Sequence, residues 1–238
     1  MGSYEQEASK ELALWQRRMQ RRPTLVNKLT KRFQDKYNKI IPEKIHQAIT
    51  LAIEKMVKAV LFGAKYTSPK PGNITNLKQT EELVLTRIKF YRTTASAEGA
   101  VTGAGGILMG LADFPLLLGI KLKLLFDIAA LYGFDVKDYK ERLYILHIFQ
   151  LAYSSQSGRN EVYRRIANWE NYAAALPEKV DALDWRTFQQ EYRDYIDLAK
   201  MAQLLPVIGA AVGAVVNFRL VKKLGTTAIN CYRMRLGL

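Results

Sequence analysis

The sequence predicts an all-α fold, a multi-helix bundle with two glycine-rich apolar helical tracts at its centre. Three observations predict it. Apolar residues recur at helical spacing along most of the 238 residues. No run alternates apolar and polar residues between hairpin turns. Prolines and glycines fall where the periodic runs begin and end, which is where they are tolerated best. With 49% apolar residues, the chain has material for a substantial core.

Residues 4–21 form a first helix, basic overall, with Leu12, Trp15 and Met19 on one side. Pro23 interrupts it, and a second helix covers about 24–39. Pro42 opens a third, whose face carries Ile45, Ile49, Ala52, Ile53, Met56 and Val60. The run "TSPKPGN" at 67–73 is the clearest linker, dividing a basic helical arm (1–70) from a body (71–238). In the body, 77–98 is helical and leads into an apolar stretch from Gly99 to Ile120. There "ADFP" places Asp113 as the N-cap of a new helix, 114–132, with Pro115 in its first turn. Gly133 closes that helix in the left-handed conformation. Asp138, with Glu141 three residues on, starts a helix over 139–153 as a capping box. A loop at 154–160 precedes a short helix over 160–175, and Asp184 caps another over 185–203. Pro206 breaks that one before the second glycine-rich tract, "PVIGAAVGAVVNF", and a final helix carries Arg219, Lys222, Lys223, Arg233 and Arg235.

The first tract contains 22 residues and six glycines, and as one helix it would reach about 33 Å, enough for a bilayer core. Asp113 argues against a span, because a carboxylate at the centre of a membrane helix costs about 2.5–3.5 kcal/mol. Glycines also bring little apolar area. Two shorter helices meeting near 112–114 fit better. The pairs Gly99/Gly103, Gly106/Gly110 and Gly209/Gly213 are each spaced by four, so each pair lies on one helix face and lets backbones approach closely. With Leu116 and Leu117, they are the candidate lining of an apolar groove suited to an acyl chain.

The net charge of +14 sits at the ends. Residues 1–70 carry 15 Lys and Arg against 6 acids, residues 217–238 carry 5 against none, and the rest balance at 16 each. Such ends favour an anionic partner. Arg17, Arg18, Arg21, Arg22, Lys28, Lys31 and Arg32 in the arm, and Lys222, Lys223, Arg233 and Arg235 in the last helix, are the candidate contacts to an anionic lipid surface. Trp15, Phe33, Tyr37 and Phe62 would anchor it. No nucleic-acid-binding module is legible, which disfavours nucleic acid. One cysteine, Cys231, excludes an internal disulfide. The N-terminus lacks an apolar run of signal-peptide length, so the expected location is cytoplasmic, peripheral to the inner face of the membrane.

Catalytic chemistry finds little support. There are two histidines, His46 and His147, and no metal-ligand spacing, so no metal and no cofactor are expected. "TGAGG" lacks the Lys-Ser/Thr of a phosphate-binding loop. Ser154 and Ser155 lack a nucleophile-elbow frame. Lys123 and Asp127, four apart, are placed to pair on one helix face.

The segments "TGAGGILMGLADFPLLLGIKLKLLFDIAALYGFD" (102–135), "ERLYILHIFQLAYSS" (141–155) and "LLPVIGAAVGAVVNFRLVKKLGTTAINCYRMR" (204–235) resemble the EcsC family of bacterial proteins. A fainter similarity connects the glycine pattern with the senescence-type domain of lipid-droplet-associated proteins. The EcsC resemblance implies membrane-linked physiology, since the founding member is encoded beside two subunits of an ABC transporter, and it supplies no catalytic residues. The expected function is therefore a non-enzymatic, peripheral membrane protein that binds lipid or acyl chains. The alternatives are an adaptor of an ABC-type transporter subunit, or a hydrolase of a membrane-derived substrate with His147 as its base.

Overall fold

The computed structural model describes residues 2–21, 43–63, 70–73, 76–103, 106–154, 158–184 and 210–238. Among these residues the regular structure is entirely helical: α1 (Ser3–Gln20), α2 (Glu43–Gly63), α3 (Leu77–Gly103), α4 (Gly106–Leu131), α5 (Tyr139–Tyr153), α6 (Arg159–Ala167), α7 (Trp169–Ala174), a short 3-10 turn at Val180–Ala182, and α8 (Ala210–Arg235). The all-α multi-helix bundle read from the sequence is the fold observed. The helices expected over 24–39 and 185–203 lie outside the described residues.

Three long helices make the centre. Contacts Glu81–Arg233, Ile88–Gly225 and Arg92–Phe218 run along α3 and α8 in opposite directions, so the two are antiparallel. Tyr91–Asp127 and Tyr132–Glu81 set α3 antiparallel to α4 in the same way. The last turn of α3 and the first turns of α4 and α8 therefore share one end of the bundle. The glycines Gly99, Gly103, Gly106, Gly110 and Gly213 all lie on helical backbone at that end, and Gly209 lies outside the described residues. The opposite end holds the buried carboxylates Glu81 and Glu141 with their arginines.

Closeness between α3 and α8 depends on Gly225. A β-carbon there would come within 2.5 Å of Ile88 Cδ1, so a side chain cannot enter without displacing buried Ile88.

Helix ends follow local chemistry. At the end of α4, Gly133 has φ of 79°. The amides of Gly133 and Phe134 donate to the carbonyls of Ala130 and Ala129, at 2.9 and 3.0 Å. That is a Schellman motif on the glycine expected to carry it. At the start of α5, Asp138 accepts a hydrogen bond from the Lys140 amide at 2.9 Å. The capping box is only half formed, because Glu141 turns inward to Tyr232 and Arg235 instead of back to its cap.

Asp113 requires a correction. It is not an N-cap: α4 begins at Gly106 and runs through Asp113 with Pro115 inside it. Proline removes one helical amide, leaving the Leu111 carbonyl without its usual partner, but it fits helical φ. Tertiary packing of the next turns, where Phe114, Leu117 and Leu118 are buried, outweighs that single loss. The helix expected over 160–175 is likewise divided, at Asn168, whose φ of −114° and ψ of 39° leave the helical region. The break lets Trp169 turn onto Tyr144, 4.8 Å between ring centroids.

Residues of α1 and α2 belong to the same core as the body. Ala8, Leu12 and Trp15 of α1 and Ile53, Met56, Val57, Val60 and Leu61 of α2 are buried with it. Gly72, in the linker, donates its amide to the Ala130 carbonyl at 2.7 Å.

Candidate functional site

Two regions carry unusual chemistry, one at each end of the central helices. At the polar end, Glu81 of α3 is 1% exposed. Its carboxylate accepts from Arg233 Nε (2.7 Å) and Nη2 (2.6 Å), from Tyr4 Oη (2.6 Å) and from Tyr132 Oη (2.9 Å). Burial alone would raise its pKa; the Arg233 and tyrosine hydrogen bonds outweigh burial and hold it below the usual carboxylate range. Arg233 also donates to Glu11 at 2.8 Å, which fastens α1 to α3 and α8. A second pair lies nearby: Arg235 and Tyr232 both donate to Glu141. Here burial dominates and the Glu141 carboxyl is pushed up. Tyr232 stacks on Tyr132 at 5.2 Å, and the Arg235 guanidinium lies 4.1 Å from the Phe134 ring centre.

This arrangement corrects part of the expected basic surface. Arg233 is buried and Arg235 half-buried, each committed to an internal carboxylate, so neither is available to an anionic surface. Their sequence signal was only a count of charges; the acids that claim them lie 152 and 94 residues away. Glu81 and Glu141 carried no sequence signal as buried partners.

At the other end the remaining expected residues separate. Leu117 is fully buried, whereas Leu116 is 51% exposed. On α8, Val215 and Phe218 are 50% and 42% exposed, and Arg219 and Lys222 are exposed on the same face at helical spacing. The Arg92 guanidinium of α3 lies 3.7 Å from the centre of the Phe218 ring. Lys223 is exposed one position further on. Arg17, Arg18 and Arg21 are exposed at the end of α1, and Arg22, Lys28, Lys31 and Arg32 lie outside the described residues. Sequence reasoning missed Val215, Phe218 and Arg92. The spacing 215, 218, 219, 222 was the available signal, but the surrounding apolar run masked it.

The catalytic alternative has a plain geometry. His147 is 1% exposed, with Nδ1 at 2.8 Å from the Leu143 carbonyl and its ring edge-on to Trp169 and Tyr172. Ser154 donates to the Gln150 carbonyl at 2.6 Å. Lys123 and Asp127 pair as their spacing expects, and Asp127 also accepts from Tyr91. Among the described residues no group of His, Cys, Asp and Glu could hold a metal ion, and no helix is long and apolar enough to cross a membrane.

Fold and buried chemistry together define an all-helical protein whose core is tied by ion pairs at one end and whose small-residue helix ends meet at the other. The chain belongs to the EcsC protein family, whose model matches residues 6–236. It is 46% identical over 223 residues to "Protein EcsC" of Bacillus subtilis (strain 168), covering 93% of this chain and 92% of that protein. It is also 27% identical over 218 residues to "Uncharacterized protein YdbA" of the same organism, covering 83% of this chain and 80% of that protein. No solved structure matches the chain.

Proposed function

We propose that this protein is a non-enzymatic, peripheral membrane protein that lays the glycine-rich end of α3, α4 and α8 against anionic lipid. One observation carries this reading. At that end, Val215 and Phe218 are exposed on one face of α8 with Arg219 and Lys222, the Arg92 guanidinium of α3 lies over the Phe218 ring, and Leu116 is exposed on α4. Exposed apolar groups rimmed by Lys and Arg suit the boundary between acyl chains and anionic head groups. Each cation near such a surface contributes about 1 kcal/mol, while the apolar side chains add area-dependent burial. The absence of a spanning helix among the described residues is compatible with lying on a membrane.

Flotation with vesicles tests the reading. Wild-type protein is expected to float with phosphatidylglycerol vesicles and much less with phosphatidylcholine, and salt is expected to weaken the association. The double variant Phe218→Ser/Lys222→Ser is expected to float less, with a melting temperature lowered only by the loss of the Arg92–Phe218 contact. Equal recovery with both lipids, or no recovery with either, contradicts the reading.

A further inference from the structure

The seam between α3 and α8 carries charge of one sign only. Residues 85–96 of α3 include Arg87, Lys89 and Arg92, residues 215–229 of α8 include Arg219, Lys222 and Lys223, and neither stretch contains an acid. At the polar end of the same two helices, Arg233 and Arg235 are each met by a carboxylate. Arg92 is not. It is half-buried, its guanidinium is held 3.7 Å from the centre of the Phe218 ring, and its Nε is shielded from solvent without a hydrogen-bond partner. Among the described residues no carboxylate pairs with Lys89, Arg92 or Lys222. A cation partly removed from water with no counter-charge is stabilised by an anion from outside.

Position says which kind of anion. Ile88 meets Gly225 and Arg92 meets Phe218, so Lys89 falls at the level of Lys222 and Lys223. Lys89 is one turn from Arg92, and Lys222 one turn from Phe218, each on the neighbouring helix-face position, and both lysines are exposed. Exposed Val215 lies one turn from Phe218 on the other side, toward the glycine-rich end. The seam therefore runs from an apolar residue, through a ring and a guanidinium, to two ammonium groups. Val215 and Lys222 are about 10 Å apart along α8, close to the depth of about 5–10 Å to which apolar side chains enter the boundary between head groups and acyl chains.

We propose that Arg92, Lys89 and Lys222 bind the phosphate of a lipid phosphomonoester, a phosphatidate, while Val215 and Phe218 enter the acyl layer beside it. This rests on the membrane-facing reading and names its head group. A phosphomonoester carries about −1.5 to −2 charge near neutral pH and three acceptor oxygens. A phosphodiester such as phosphatidylglycerol carries a single charge and two free oxygens. Several cations with no acid among them match the monoester. The planar fork of Arg92 can take two oxygens at once, and each ammonium adds a point charge.

The test uses the full-length protein and phosphatidylcholine vesicles containing either dioleoyl phosphatidate or dioleoyl phosphatidylglycerol, brought to equal zeta potential, with binding measured by co-sedimentation. Wild type is expected to bind the phosphatidate vesicles about tenfold more tightly, the effect of one further charge-assisted hydrogen bond. Arg92→Lys, which keeps the charge but loses the fork, is expected to bring the ratio of the two affinities close to one. That ratio is taken within one protein, so a loss of folded material does not alter it. Inorganic phosphate in excess over the lipid, compared with chloride at equal ionic strength, is expected to leave the preference in place, because a free anion lacks the acyl chains. Equal affinity of wild type for the two anionic vesicles, an undiminished ratio in Arg92→Lys, or loss of the preference to inorganic phosphate overturns the proposal; the first and last need no variant. The two claims separate. Equal binding to both anionic vesicles, above that to phosphatidylcholine alone, removes this site and leaves the membrane reading standing. Binding to phosphatidate vesicles alone keeps the site and contradicts a general anionic surface, and binding to neither removes both.

Discussion

Gly225 and Gly119 are both glycines inside long helices, yet the space around them assigns opposite outcomes to one substitution. At Gly225 a methyl group would meet Ile88 Cγ1 at 2.6 Å, so Gly225→Ala is expected to destabilise by about 1–3 kcal/mol. At Gly119 nothing lies within 4 Å, and Gly119→Ala is expected to stabilise by about 0.5–1 kcal/mol through helix propensity. Urea unfolding of both variants, with Gly225→Ala/Ile88→Ala to relieve the clash, measures the contrast. The two buried glutamates differ in the same local way. Glu81 is held below its ordinary value of 4.5, so the stability it contributes is present above the unfolded-state pKa and is lost as pH falls through the folded one. Glu141 is pushed above that value, so its ionised form opposes folding, and the penalty sets in as pH rises from the unfolded to the folded pKa. Glu81→Gln, which strands Arg233 in the core, is expected to cost about 3–5 kcal/mol near neutral pH. Glu141→Gln is expected to cost less, because half-buried Arg235 can turn toward solvent. Unfolding between pH 4 and 8 checks both signs. None of this was legible beforehand, since a glutamate three residues after a cap reads as a capping-box partner until its distant arginine is seen.

Helices were legible where their ends are written locally. Asp138 and Gly133 bound α5 and α4 through side-chain and backbone hydrogen bonds that involve near neighbours, and both positions were readable from sequence. Asp138→Ala is therefore expected to cost about 1 kcal/mol, the ordinary loss of an N-cap, with no rearrangement of Glu141. Thermal unfolding measures it, and a loss of several kcal/mol would show that Asp138 also supports the Glu141–Arg235 pair. The ends that sequence misplaced depend on distant packing. Pro115 looked like a helix start because proline is favoured there, but the buried residues beyond it hold α4 continuous from Gly106. Asn168 gave no breaking signal, and the division of α6 from α7 follows from where Trp169 packs.

Across the whole molecule, charge counting located an excess of cations at both chain ends but not how many of them face outward. Arg233 is consumed inside, and the helix that was expected to lie in a separate basic arm supplies part of its cage through Glu11 and Tyr4. Deleting residues 2–21 is accordingly expected to lower the melting temperature of the remaining chain by many degrees, since it removes buried Leu12 and Trp15, uncovers Tyr163 beneath Trp15, and takes Tyr4 and Glu11 away from the Glu81–Arg233 pair. An unchanged melting temperature would mean that α1 contributes nothing to the core. The meeting of both glycine tracts at one end was partly legible, because each tract was visible as an apolar run. Their common location needed the antiparallel and parallel registers that only the assembled helices supply.

The most direct measurement uses the chain's one cysteine, Cys231, which is buried, so that a new surface cysteine can carry a polarity-sensitive fluorophore selectively. The label is placed at Val215→Cys, at the glycine-rich end, or at Glu170→Cys, on the helix that packs near Tyr144 toward the polar end. Adding phosphatidylglycerol vesicles is expected to shift the emission of the Val215 label to shorter wavelength and leave the Glu170 label unchanged. No shift at Val215, or the same shift at both positions, would contradict a membrane-facing glycine-rich end.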